Sequence, residues 1–218
     1  MPPCDRLDQA GHFLAGVVLI DGFRLFHNGG LPLLERRHGP FVEEMVLRAA
    51  TYRPERGILP VRIDLHLSHV GLRDVRWSYW RPSGRIPISI ASADLGALEI
   101  PPGWLVWEID DRSESLEEMA YAVVRTALPW FGRFRHASGL GEALLARSIP
   151  LLDDPVSVEL LLAEYGPLEA RRYLTEYFAG EPKFWEEVER LAEPMPPDSD
   201  MADSYQRLAA IAQLCRLL

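Results

Sequence analysis

With 218 residues, 48% of them hydrophobic and 25% charged, the chain has a globular composition, enough for one large domain or a domain with a helical appendix. Its formal net charge of −9 is uneven: residues 1–112 hold 13 arginines against 14 acids, and residues 113–218 hold 9 arginines and Lys183 against 18 acids. That balance excludes a general nucleic-acid binder, which needs a basic footprint on phosphate, and a binder of anionic membrane surfaces; it permits a basic protein partner.

In chain order, Leu7, Ala10, Phe13, Leu14, Val17 and Val18 follow helical spacing, so Asp5–Ile20 reads as a helix with Asp5 at its N-cap and Asp21-Gly22 at its end. No basic n-region precedes it, so no signal peptide is expected, and no apolar run approaches the roughly 20 residues of a membrane span; cytoplasm is the expected compartment. Phe23–Phe26 reads as extended, His27-Asn28-Gly29-Gly30 as a turn, and Leu31–Arg37 as a strand that Pro32 restricts to an edge or an end. Phe41–Tyr52 is a further strand, and Arg53–Pro60 a loop marked by Pro54, Gly57 and Pro60. In Val61–Val70 the apolar Val61, Ile63, Leu65 and Leu67 alternate with Arg62, Asp64, His66 and Ser68, the pattern of a half-buried antiparallel strand. Arg73–Trp80 and Arg85–Ala91 read as extended pieces separated by Pro82-Ser83-Gly84, and Trp104–Ile109 as the last strand.

From there the hydrophobic period changes from two to 3.6. Ser115 and Glu118 fit a capping box at the start of a helix whose stripe is Leu116, Met119, Ala120, Val123, Val124 and Ala127, with Pro129 as its stop. Helices follow over Leu140–Ala146, Pro155–Tyr165 and Leu168–Ala179, then one entered through Pro182, a Pro/Asp-rich linker at Glu193–Asp200, and an amphipathic helix over Ala202–Leu217. Strands first and helices afterwards predict an α+β fold: an N-terminal helix, a central antiparallel sheet packed by a helix on one face, then an all-helical C-terminal segment. The expected division is an α+β domain over 1–150 and an acidic helical segment over 151–218 packed on it.

No motif carries chemistry. Asp64, His66 and Ser68 share one strand face, but residues two apart stand about 6.6–7 Å from one another, beyond the roughly 2.6–3.2 Å of a nucleophile–base contact. His66 and His69 fall on opposite faces, no His-x-x-x-His or Cys-x-x-Cys pair exists, and neither glycine cluster has the context of a phosphate loop. The paired acids sit at helix starts or on solvent faces. No catalytic residue, metal or cofactor is expected, and Cys4 and Cys215 read as free thiols. The least bland feature is Trp77, Tyr79 and Trp80 amid Arg73, Arg76, Arg81 and Arg85, with Trp104 and Trp107 further on. As a strand this segment would put Trp77 and Tyr79 on one face with Val75, and Trp80 on the other with Arg76. Tryptophan and arginine dominate interface energetics, so Trp77, Tyr79, Trp80 and Arg76 are the candidate binding residues; the competing reading is a packing layer between sheet and helix.

The run Pro102-Gly103-Trp104-Leu105-Val106-Trp107-Glu108-Ile109-Asp110, the capped helix, and Ala127-Leu128-Pro129-Trp130-Phe131 resemble a family of small bacterial α+β domains of unknown function. The resemblance covers about residues 5–146 and implies an architecture, an N-terminal helix with a central antiparallel sheet, and no activity. The functional expectation is a non-enzymatic protein-interaction module, with self-association through the last helix left open. The alternative is a small-molecule-binding protein or hydrolase with a pocket near the tryptophans, using Asp64, His66 or Asp94.

Overall fold

The computed structural model describes residues 3–50, 58–80, 86–98, 105–109, 114–134, 137–149, 152–190 and 204–215. The fold is α+β, as expected: an N-terminal helix, a six-stranded antiparallel sheet and a series of C-terminal helices. The chain forms two compact units, each made from two stretches: Met1–Ser68 with Ala91–Arg135, and His69–Ile90 with His136–Leu218. The expected division cut the chain once, at residue 150; in the structure the segment 69–90 belongs with the later helices.

The first unit opens with α1 (Pro3–Val18), continued by a 3-10 turn over Leu19–Asp21. Gly22 ends it at φ 86°, a left-handed conformation that a side chain disfavours, with its N–H on the Leu19 carbonyl at 3.0 Å. Asp5 lies within the first turn of α1 rather than before it. The strands β1 (Arg24–Asn28), β2 (Leu31–His38) and β3 (Phe41–Ala49) form an antiparallel meander, with Pro32 at the start of β2 opposite His27. The long β4 (Leu59–His69) follows, then β5 (Ser89–Asp94) and β6 (Trp107–Ile109), and the order is β1-β2-β3-β4-β5 with β6 also paired to β4. The alternation in β4 is as expected: Val61, Ile63, Leu65 and Leu67 are fully buried. The expected loop over 53–60 is shorter at its end, because Leu59 and Pro60 already belong to β4, where the Pro60 carbonyl accepts the Ala50 N–H at 2.9 Å. Residues 51–57, Trp104 and Asp110 lie outside the described residues.

α3 (Glu114–Ala122) carries Ser115 inside its first turn, so the predicted capping box does not form there. Pro129 does not stop this helix. A π-helical turn over Val123–Ala127 lets the Leu128 N–H reach back to the Val123 carbonyl, and α4 (Leu128–Gly132) continues with Pro129 in its first turn. Proline lacks the N–H that an α-helix would use and clashes with the carbonyl four residues earlier; a widened turn immediately before it removes that conflict. The wider turn also shifts the stripe, leaving Val124 47% exposed while Val123 and Ala127 are buried. Phe23, Trp130, Phe131 and Phe134 are buried, and the Phe131 ring lies 5.9 Å from Phe23 and 4.9 Å from Trp130.

The second unit is helical. Its first helix is α2 (Leu72–Tyr79), which replaces the extended segment predicted over Arg73–Trp80. Leu72, Arg76 and Tyr79 are buried at helical spacing; the stripe was hidden because its central residue is an arginine. α5 (Ala137–Leu145), α6 (Asp154–Tyr165), α7 (Pro167–Phe178), α8 (Pro182–Arg190) and α9 (Ser204–Leu214) complete the unit. Asp153 caps α6 by accepting the Val156 N–H at 2.8 Å, and Gly166 at φ 84° separates α6 from α7. Val158, Leu160, Leu161, Tyr173, Leu174, Phe184, Val188 and Ile211 are fully buried in this unit's core. The predicted linker 193–200 lies outside the described residues. Among the described residues no helix is long and apolar enough to cross a membrane.

Candidate functional site

Three helices of the second unit converge on one carboxylate. Glu159 lies in the middle of α6 among Val156, Val158, Leu160 and Leu161, and is 0% exposed. A charge so placed requires partners, because desolvating it uncompensated costs far more than a buried hydrogen bond returns. α2 presents Arg76 and Tyr79 from successive turns, and α9 presents Arg207 from its first turn. Arg76 donates to the Glu159 Oε2 through Nε at 3.0 Å and a terminal nitrogen at 2.7 Å, a forked arrangement on one oxygen. Arg207 donates to Oε1 at 2.8 Å, and the Tyr79 hydroxyl donates to the same oxygen. Arg76 is further fixed by the Pro87 carbonyl at 2.7 Å and the Ser89 carbonyl at 3.2 Å.

Burial and then the charge of Glu159 hold the Tyr79 phenol well above its ordinary pKa, so it remains a donor at all physiological pH. Burial by itself would lower Arg207, but the attraction and hydrogen bond of Glu159 outweigh it and keep the guanidinium firmly charged. A second carboxylate, Asp153, stands 3.9 Å from Arg207. The polar centre thus carries two permanent cations, one saturated carboxylate and one half-exposed one.

Beside this centre lies a cleft of about 240 Å³ lined by Arg76, Trp80, Pro87, Ser89, Val156 and Arg207. Of the four candidate binding residues, Arg76 and Trp80 line it, Tyr79 supports it from behind through Glu159, and Trp77 stands apart, 53% exposed on the outer side of α2. The predicted pairings therefore change: Arg76 shares a face with Tyr79, not with Trp80 alone, because the segment is a helix. Trp107 is a core residue of the first unit, 6% exposed. Arg81 and Arg85 lie outside the described residues.

Glu159 and Arg207 escaped the sequence reading, whereas Asp153 is one of the paired acids expected at helix starts and caps α6 there. A signal existed: Glu159 is the one acid between Val156 and Leu161, and Arg207 precedes the run Leu208-Ala209-Ala210-Ile211. Charges embedded in such apolar runs call for each other across helices.

The other polar groups singled out from sequence do not assemble a reactive centre. Asp64 pairs with Arg48 at 2.6 Å and with Arg62 at 3.6 Å, within the first unit's sheet. Asp94 accepts the Gly96 N–H at 2.9 Å, closing a local turn. His69 is buried and contacts Glu164 at 2.8 Å in the second unit. Among the described residues, no three histidine, cysteine or acidic side chains gather as a metal-binding group. The first unit has a larger basin of about 550 Å³ at Arg24, Phe26, Glu35, Arg36 and Arg37, but Arg36 and Arg37 are already paired there with Glu43 and Glu35.

No family model, curated protein or solved structure matches the chain.

Proposed function

We propose that this is a binding protein whose second unit takes a small ligand in the cleft of Arg76, Trp80 and Arg207. The observation that supports this reading is the rigid polar floor: two guanidiniums are oriented by one buried carboxylate beside an indole and the apolar Pro87 and Val156. Ligand sites combine a mostly apolar wall with a few fixed polar groups, and groups held in place before binding lose little entropy on association. The same features favour binding over catalysis. Glu159 has both oxygens occupied, Tyr79 is held protonated, and neither guanidinium transfers a proton near neutrality.

A thermal-shift screen of small metabolites tests it. A ligand of this cleft is expected to raise the melting temperature of the native protein, with about 2.7 kcal/mol of stabilisation at a hundredfold excess over Kd. The shift should disappear in Trp80→Ala. A ligand that stabilises both proteins equally would place binding elsewhere.

A second reading, a protein-interaction module, rests on Trp77. A tryptophan 53% exposed on a helix that follows the half-exposed Val70 in the chain has the character of an interface anchor. Loss of a co-purifying protein in Trp77→Ala, at unchanged stability, would favour this reading.

A further inference from the structure

We infer that the ligand of the Arg76–Trp80–Arg207 cleft is a small apolar monocarboxylate, an inference that rests on the cleft being the binding site. The first ground is an imbalance of donors. Arg76 is engaged on all sides, by Glu159, the Pro87 carbonyl and the Ser89 carbonyl. Arg207 is not: it makes one hydrogen bond, to Glu159 at 2.8 Å, and its approach to Asp153 at 3.9 Å is an ion pair beyond hydrogen-bond range. Most of its N–H groups therefore have no acceptor among the described residues, although its side chain is only 19% exposed. The indole N–H of Trp80 is buried and has no acceptor among the described residues. A guanidinium with open N–H groups on the cleft wall offers a charge-assisted hydrogen bond that a ligand with acceptor oxygens can use and a neutral apolar one cannot.

The second ground is charge. Two cations, Arg76 and Arg207, stand against two carboxylates, Glu159 and Asp153, a formal sum of zero. Against that sum a phosphate monoester brings nearly two uncompensated negative charges and a carboxylate only one, so the carboxylate is the less opposed anion. Asp153 opposes any anion here. Its side chain is 54% exposed, holds the Val156 N–H and does not line the cleft, so solvent screens its repulsion.

The third ground is shape. The remaining walls are the Trp80 ring, Pro87 and Val156, and the cleft's 240 Å³ lies below the roughly 300–1,000 Å³ of sites for larger ligands. A flat or short hydrocarbon body fits that description.

Isothermal titration of the full chain with 2-naphthoate, its neutral amide 2-naphthamide and 2-naphthyl phosphate tests the assignment. Naphthoate is expected to bind about tenfold or more tightly than either of the others, the size of one hydrogen-bonded charge interaction. In Arg207→Lys, which keeps the charge and removes the guanidinium, the preference for naphthoate over naphthamide should collapse while naphthamide binding stays as it was. If naphthoate and naphthamide bind alike, or the phosphate binds most tightly, the carboxylate assignment falls and the cleft remains a binding site. If none of the three binds, both fall. The comparison among probes needs no variant, so a poorly folded Arg207→Lys leaves the outcome readable.

Discussion

Each unit buries an arginine–glutamate pair, and the two pairs are built differently. In the first unit, Arg36 and Glu43 are direct cross-strand partners of β2 and β3, seven residues apart, and the Arg36 guanidinium lies 4.1 Å over the Phe23 ring and donates to the Asp21 carbonyl at 2.8 Å. Burial dominates there: it pushes the Glu43 carboxyl up to about 7 against the pull of Arg36, and it lowers Arg36 below its ordinary value despite Glu43 and Asp21. In the second unit, Glu159 collects Arg76, Tyr79 and Arg207 over sequence separations of 83, 80 and 48 residues. A pair made by hairpin register sets an arginine opposite a glutamate, and burial there works against the charged form of both. A pair made by three converging helices gathers more donors than its carboxylate can accept, and the excess faces a cleft. That difference is the reason the proposed binding site is assigned to the second.

The comparison breaks most visibly at Glu159. Glu159→Ala leaves Arg76 and Arg207 without their carboxylate and is expected to cost about 3–5 kcal/mol in urea unfolding, the range for removing one partner of a buried pair. Replacing both Arg36 and Glu43 by Met and Leu is expected to cost much less, since removing the two cross-strand partners together leaves neither charge buried without the other. Equal costs would erase the distinction.

A smaller effect is pH dependence. Native Glu43 keeps its proton up to about pH 7, whereas the unfolded chain releases it near 4.5. The native state thus binds more protons across that window, so this group's contribution to stability is largest below pH 4.5 and is lost as pH rises to 7, by about 2–3 kcal/mol. Glu43→Gln should flatten that part of the stability–pH curve. A wild-type curve already flat between pH 4.5 and 7 would contradict that account of the pair.

Smaller again, and of two signs, is Asp153→Ala. Loss of the α6 cap should cost about 1 kcal/mol of stability, while removal of the carboxylate beside Arg207 should tighten binding of a carboxylate ligand. A cap loss that also weakens binding would mean that Asp153 helps to hold the ligand. Smallest is Trp77→Ala, expected within about 0.5 kcal/mol of the wild type, because that side chain stands outside the core.

Much of this architecture is legible in the sequence, and the exceptions have causes. β4 reads cleanly because each of its residues keeps to one face. α6, α7 and α8 read cleanly because Gly166, Pro167 and Pro182 punctuate them. α2 misreads as a strand because Val75, Trp77 and Tyr79 alternate, while the true stripe of Leu72, Arg76 and Tyr79 runs through a charge whose partner lies 83 residues away. The π-turn before Pro129 is hidden because a proline ordinarily ends a helix. For the site, Arg76 and Trp80 stand out by type, but Glu159 and Arg207 are visible only as charges inside apolar runs, and only tertiary packing says that they meet.

The most direct measurement is an NMR titration that follows the arginine Nε–H and tryptophan indole resonances as 2-naphthoate is added to the native protein. Arg207 and Trp80 are expected to shift together along one saturating curve, with Arg36 of the first unit unmoved. A saturating shift at Arg36, or none at Arg207 and Trp80, would contradict the assignment of the cleft as the binding site.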